Sequence, residues 1–240
     1  MKDRKVRLYY LPLTKKVIFC AIIAVIVVSY GVIEFDSANP DQTVFSQQPK
    51  AYYQGPKDKQ EIAFAINVAW GTEYIPQMLE VLEQEKVKAT FFLVGNWVEK
   101  FPELVVEIKE AGHVLGNHGY RHRHPKKLSE EELIKLIKKN EELIMNTAQY
   151  QTKLFAPPYG EVDDRIVKLA YKIDYKTIMW TVDTIDWQRP DAKVIINRVV
   201  PKAENGAIVL MHPTRGTTEA LAEMITRLKN KGYQIVTFPE

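Results

Sequence analysis

From residue 61 onward the apolar positions follow two alternating rhythms. Residues 62–69 form an apolar run rich in branched and aromatic side chains, as a strand buried on both faces requires. Ile75, Met78, Leu79 and Leu82 then recur at the spacing of one helix face. A second strand is expected at 89–94, followed by a helix through Leu104, Val105 and Ile108 that Gly112 stops. Residues 113–115 read as a short strand broken by Gly116. The capping box Ser129-x-x-Glu132 opens a long helix with Leu133, Leu136, Ile137, Leu143 and Ile144 inward. The second half continues in kind. Strands are expected at 153–156, 177–182 and 207–211, with helical stripes through Ile166, Leu169, Ala170 and Ile173, through Val194, Ile195 and Val199, and through Leu221, Met224, Ile225 and Leu228. Gly232 ends the last helix, and 234–238 closes the chain as a strand.

Seven strands, nearly all separated by helices, predict an α/β domain with a parallel sheet covered on both faces. Roughly 180 residues suit one core. No glycine-rich phosphate fingerprint follows the first strand, so a deformed, closed or nearly closed parallel (β/α) barrel is expected rather than an open doubly wound sheet.

The pattern before residue 61 is different. Residues 17–33 carry no charge, and at about 1.5 Å per residue they span roughly 26 Å, the low end of a bilayer core. Lys2, Arg4, Lys5, Arg7, Lys15 and Lys16 precede this run, and Glu34 and Asp36 follow it. The positive-inside rule then makes residues 1–16 a cytoplasmic basic segment, residues 17–33 a transmembrane anchor and the remainder extracytoplasmic. A cleaved signal peptide would have a shorter apolar core and a small-x-small site, which Asp36-Ser-Ala38 does not provide. Residues 34–60, with Pro40, Pro49, Gly55 and Pro56 among polar residues, read as a linker. The net charge of +3 over 240 residues, most of the excess at the amino terminus, gives no basis for nucleic-acid binding. A lone cysteine, Cys20 in the apolar run, allows no intramolecular disulfide.

In a parallel barrel, chemistry collects at the carboxyl ends of the strands. Asn67–Gly71, His118 with His122, 156–160, Asp183–Trp187 and His212 all fall at such ends. On a helical turn, two histidines four apart would share a face and could reach one metal ion. The metalloprotease pattern with this spacing is excluded, because Gly119 stands where its glutamate belongs. Each motif also has a structural reading: Pro157-Pro158 as a rigid turn, Asp183 and Asp186 as solvated acids, Trp187 and His212 as core residues. His113 and His124 are read as structural.

Taken together and in order, these motifs resemble the polysaccharide deacetylases with the NodB-homology domain, carbohydrate esterase family 4. Gly112-His-Val-Leu-Gly-Asn-His-Gly-Tyr-Arg-His122 is similar to the family's metal motif, and Ala89-Thr-Phe-Phe92 to its second strand. Phe155-Ala-Pro-Pro-Tyr-Gly160, Asp183-Thr-Ile-Asp-Trp187 and Leu210-Met-His-Pro213 resemble its later motifs. The resemblance covers residues 61–240. The anchored layout and Asn67-Val-Ala-Trp-Gly71 look most like a sporulation-associated branch.

The resemblance implies metal-assisted removal of acetyl groups from N-acetylglucosamine units of a cell-wall or spore-envelope glycan. His118 and His122 would bind a divalent metal, usually zinc, which polarises the acetyl carbonyl and a water. His212 would protonate the leaving amine, with Asp186 orienting its ring. Tyr159, Trp187 and Pro158 would shape the sugar groove. The family's first motif has a base aspartate followed by a metal-binding aspartate. These positions are expected here at Asn67 and Val68, and Ala156 stands where the family has the arginine that positions the base. Two readings follow. One is a deacetylase with weak metal binding and a replaced base, for which Glu73, Glu161 and Asp163 are candidates. The other is a silent relative that binds glycan or a spore-envelope partner.

Overall fold

A computed structural model describes residues 49–238. The anchor, residues 17–33, lies outside the described residues, and among those described no helix is long and apolar enough to cross a membrane. Pro49–Glu240 forms one compact unit.

The strands are β1 (Glu61–Val68), β2 (Thr90–Leu93), β3 (Val114–Asn117), β4 (Leu154–Phe155), β5 (Lys176–Thr177), β6 (Val182–Asp183), β7 (Ile208–Met211) and β8 (Gln234–Val236). The helices are α1 (Ile75–Gln84), α2 (Gly95–Lys100), α3 (Pro102–Glu110), α4 (Glu130–Ala148), α5 (Asp164–Lys172), α6 (Ala192–Val199) and α7 (Arg215–Asn230). The sheet runs β5-β4-β3-β2-β1-β7-β6, with β8 against the first residues of β1, and every ladder is parallel. This is the deformed barrel in its open form, because β5 and β6 do not pair.

Two local expectations need correction. The strand expected at 177–182 is split into β5 and β6. Between them the backbone turns to a partner outside the sheet: Tyr52 N–H donates to the Thr177 carbonyl, and Met179 N–H donates to that of Tyr52. Tyr52 and Gln54, in the stretch read as linker, bridge to Ile178 and Ala207 across this opening. Gly116 does not break β3 but lies inside it. A Cβ there would sit 2.3 Å from the Phe92 ring, so the glycine makes room for that side chain in the barrel.

β1 sorts its residues by size. Ile62, Phe64, Ile66 and Val68 enter the large core between sheet and helices, while Ala63 and Ala65 face the barrel interior with Phe92. Successive side chains of a strand point to opposite faces, so Asn67 follows the alanines inward and Val68 does not. The ladders also align the strand ends, with Val68 level with Leu93, Leu93 with Asn117, and Asn117 with Phe155. The loops that follow therefore start from one tier.

His113 is the core histidine it was expected to be. Its Nδ1 accepts the Ala89 N–H at 3.1 Å, and its ring meets Phe91 edge-on. Burial, aided by Lys88, pushes its pKa down to about 4, so the ring is neutral and the acceptor persists at neutral pH.

Candidate functional site

The loops after β1, β3, β4, β6 and β7 converge on a cavity of about 490 Å³ at the carboxyl end of the sheet. Of the residues expected in a site, Asn67, His118, His122, Tyr159, Trp187 and His212 line it. Pro158 does not. It is buried within the 158–160 turn, whose effect is to present Tyr159 at φ +60°.

His118 and His122 meet, though not on a helical turn. The chain between them is a loop with Gly119 at φ +76° and His122 at φ +41°, and it brings the two Nε2 atoms to 3.2 Å. His118 Nδ1 lies 2.7 Å from the Ala156 carbonyl, which can only accept, so Nδ1 carries the hydrogen and Nε2 keeps its lone pair. Burial, then the neighbouring His122, pushes the His118 pKa down to about 3. Burial also lowers that of His122, helped by His212 and His124. Both rings are therefore neutral at neutral pH.

A buried amide pair holds this loop in place. Asn117 donates to the Ile137 carbonyl and to the Tyr175 hydroxyl, and it accepts from Gly119 N–H. Asn140 donates to the Leu93 carbonyl and to Asn117 Oδ1. Asn140 lies mid-helix, where a polar residue at an apolar position was the signal available in the sequence.

Asp186 is fully buried and accepts three hydrogen bonds. His212 Nδ1 lies 2.7 Å from Oδ1, while His212 N–H and the Thr217 hydroxyl each reach Oδ2 at 2.6 Å. The His212 ring is thus fixed by its own backbone as well as by the carboxylate, leaving Nε2 as its free nitrogen. Sequence reasoning missed Thr217. It sits in the first turn of α7, where the N-cap Thr214 accepts its N–H, and nothing local in the sequence tied it to Asp186.

The cavity's walls are aromatic. Trp70 stacks on His212 at 5.7 Å and 7°. Tyr159 lies 4.4 Å from the His122 ring and stacks at 4.0 Å on His124. Trp187 and Trp180 complete the wall, and Gly160 lets Trp180 approach, since a Cβ there would fall 2.5 Å from the indole. Asn67 Oδ1 is buried and has no hydrogen-bond partner among the described residues.

None of the candidate replacement bases reaches this space. Glu161 accepts from Lys126 N–H and pairs with His124 at 2.8 Å, and its pKa is lowered chiefly by the His124 hydrogen bond. Asp163 caps α5 through Ile166 N–H. Glu73 lines a neighbouring cavity with Tyr74 and Arg189. Asp183 does line the site, and one of its oxygens accepts Ile185 N–H at 2.7 Å.

Of the two positions expected for the first motif, Asn67 lines the cavity, while Val68 is 0% exposed and its side chain packs in the core beneath the helices. Ala69 and Trp70, the two residues that follow, also line the cavity.

Two neutral imidazoles with converging Nε2 atoms suit a metal. Ligands about 2.0–2.1 Å from a tetrahedral zinc stand roughly 3.3 Å apart, and the Nδ1–H to carbonyl bond is the usual orienting contact of a ligand histidine. A third ligand is missing: no group of three His, Cys, Asp or Glu side chains that could hold a metal occurs among the described residues. The residues present do not complete the site.

Comparison with known proteins is consistent with this geometry. Residues 54–178 match the family model for polysaccharide deacetylase. YlxY of Bacillus subtilis, an uncharacterised protein, is 43% identical over 206 residues, which cover 86% of this chain and 65% of that one. A peptidoglycan-N-acetylglucosamine deacetylase of Bacillus cereus is 39% identical over 204 residues, covering 82% of this chain and 74% of the enzyme. A solved structure of a CE4 family pseudoenzyme from Bacillus anthracis matches with TM-score 0.78 at 45% identity, over 79% of this chain and 68% of that one. A mutant of that pseudoenzyme with restored enzymatic activity matches equally well, with TM-score 0.78 at 44% identity, over 79% of this chain and 70% of that one.

Proposed function

The chain belongs to the polysaccharide deacetylase family, and from that premise we propose that it is a wall-glycan-binding member whose deacetylase site has lost its base. The observation that carries this reading is Asn67, which stands at the expected base position, lines the cavity and keeps a buried Oδ1 with no partner among the described residues. An amide cannot take a proton from water at neutral pH, and the isopropyl group of Val68 beside it cannot ligate a metal. The opposite half of the family's site is intact, with His212 held by Asp186.

What remains is a binding surface. Trp70, Tyr159, Trp180 and Trp187 offer flat apolar faces with polar edges, which suit the C–H face of a sugar ring. The orphaned Asn67 Oδ1 needs a donor. A buried acceptor left unpaired costs about 1–3 kcal/mol, and an acetamide N–H entering the cavity would supply the missing bond. The ligand class is accordingly an N-acetylglucosamine-containing glycan, the substrate for which the Bacillus cereus relative is named.

The test uses the full chain in nonionic detergent, with chitohexaose binding followed by tryptophan fluorescence and acetate release followed in parallel. Binding without appreciable acetate release is expected. Trp187→Ala should weaken binding about tenfold, since loss of one aromatic face removes on the order of 1.4 kcal/mol. Fast acetate release that Asp183→Asn silences would establish instead a deacetylase with a relocated base.

The same reading places residues 17–33 across the membrane, with the domain facing the wall. Protease added to intact protoplasts should digest the domain, and its protection would overturn this topology.

A further inference from the structure

We propose that the basic cavity on the outer side of the His118–His122 loop is a second binding site, which takes oxyanion groups repeated along a wall polymer. The choice of polymer rests on the wall-glycan reading above. The cavity holds about 440 Å³ and is lined by Tyr120, Arg121, Arg123, Glu132, Lys135 and Lys139, four cations against one carboxylate. That carboxylate is already engaged, since Glu132 accepts from Ser129 N–H and pairs with Arg123 at 3.2 Å.

Arg121, Lys135 and Lys139 form no ion pair among the described residues, although Lys138 on the same helix pairs with Glu141 at 2.7 Å. Clustered like charges repel one another, and an anion relieves that repulsion. The cluster is also held in place. Lys139 Nζ lies 3.6 Å from the centre of the Tyr120 ring, and the Arg121 guanidinium lies 5.3 Å from it. The tyrosine is fixed by its N–H to the Leu136 carbonyl, by Asn96 N–H to its own carbonyl and by its hydroxyl to Glu99. Arginine forks and ammonium groups so arranged suit carboxylate or phosphate oxygens.

These side chains are exposed, so a single small anion would be held weakly and screened by salt. A polymer is different. Arg121 and Arg123 flank His122, which lines the aromatic cavity, so one loop separates the two sites. A strand seated in the groove would present its anionic substituents to the basic cavity at high effective concentration. Carboxylates of peptide stems and phosphodiesters of a wall-linked polymer share this chemistry.

The experiment uses the full chain in nonionic detergent with four probes: chitohexaose, peptide-stripped glycan fragments, peptide-bearing fragments and a glycerol-phosphate oligomer. At low salt we expect at least about tenfold tighter binding of one anionic probe than of uncharged chitohexaose, falling away as salt is raised. Preference for peptide-bearing fragments identifies stem carboxylates as the source, and preference for the oligomer identifies phosphate. Arg121→Gln, Lys135→Gln and Lys139→Gln combined should abolish the preference while leaving chitohexaose affinity unchanged, which also shows that the variant is folded. Equal affinity for charged and uncharged probes, or a preference that survives the triple variant, overturns the proposal. Loss of chitohexaose binding alone counts against the glycan reading, and the oligomer arm still decides this site.

Discussion

Asn67→Asp, Val68→Asp and Ala156→Arg in combination should raise acetate release from chitohexaose by about 10²–10⁴-fold over the unmodified chain, the range that general-base assistance supplies. Each change supplies one element that the family's site has and this chain lacks. An aspartate at 67 replaces an amide that lines the cavity, and one at 68 replaces a buried valine at the end of β1. Arginine at 156 would enter the barrel interior, where Ala156 is buried. It would meet Ala63, Ala65 and Phe92 there and should cost about 1–3 kcal/mol of stability through overpacking. The three changes should act together, because an unoriented base and an incomplete metal site each limit the rate, so single variants should gain little. Ala69→Asp, Trp70→Asp and Ala156→Arg, with the aspartates at the next two positions that line the cavity, should stay inactive. If that triple is the one that recovers, the base and the ligand act from two residues further on. If neither triple does while both still bind chitohexaose, the loss extends beyond these positions. Recovered activity in a mutant of the Bacillus anthracis pseudoenzyme shows that a related scaffold can be brought back.

The alternation of strands and helices was legible because apolar spacing reports on burial, and burial follows from this fold. The phase of β1 was legible too, but in the wrong property. Residues 62–69 carry little polar contrast, so hydrophobicity does not say which side chains face the barrel. Size does, since Ala63 and Ala65 alternate with Ile62, Phe64 and Ile66. Continuing that rhythm puts Asn67 on the barrel side, as its place in the cavity lining requires, and Val68 with the large residues outside. Spacing brought out His118 and His122 as a pair, yet the loop that joins them depends on Asn117 and Asn140, which come together from different elements. The replacement bases failed for a similar reason. Glu161 is spoken for by His124, 37 positions away in sequence, a partner that no local pattern reveals.

Val68→Asp alone should raise zinc affinity at least about 100-fold, and His118→Ala should abolish it in either background. The unmodified chain offers two imidazole nitrogens 3.2 Å apart and no third protein ligand among the described residues. Binding should therefore be weak, with water completing the coordination. Both histidines are already neutral at neutral pH, because burial lowers their pKa values, so no proton must leave them on binding. A carboxylate at 68, where the family's first motif has its metal-binding aspartate, would supply the missing ligand by turning from the core toward the histidines. Removing His118 takes away the ring that the Ala156 carbonyl orients, and loss of such an oriented ligand should cost more than the 10–100-fold typical of losing the orienting contact alone. Trp70→Asp is the discriminating control, since its carboxylate would line the same cavity beside His212. That variant should gain less zinc affinity than Val68→Asp. Without zinc the Val68→Asp carboxylate is buried in the apolar core, a cost of several kcal/mol, so zinc should raise that variant's stability. Titration calorimetry of the chelator-stripped full chain with zinc sulfate, alongside urea unfolding, separates these outcomes. Stoichiometric zinc that survives both His118→Ala and His122→Ala would place the metal elsewhere, and a larger gain from Trp70→Asp than from Val68→Asp would move the third ligand to position 70.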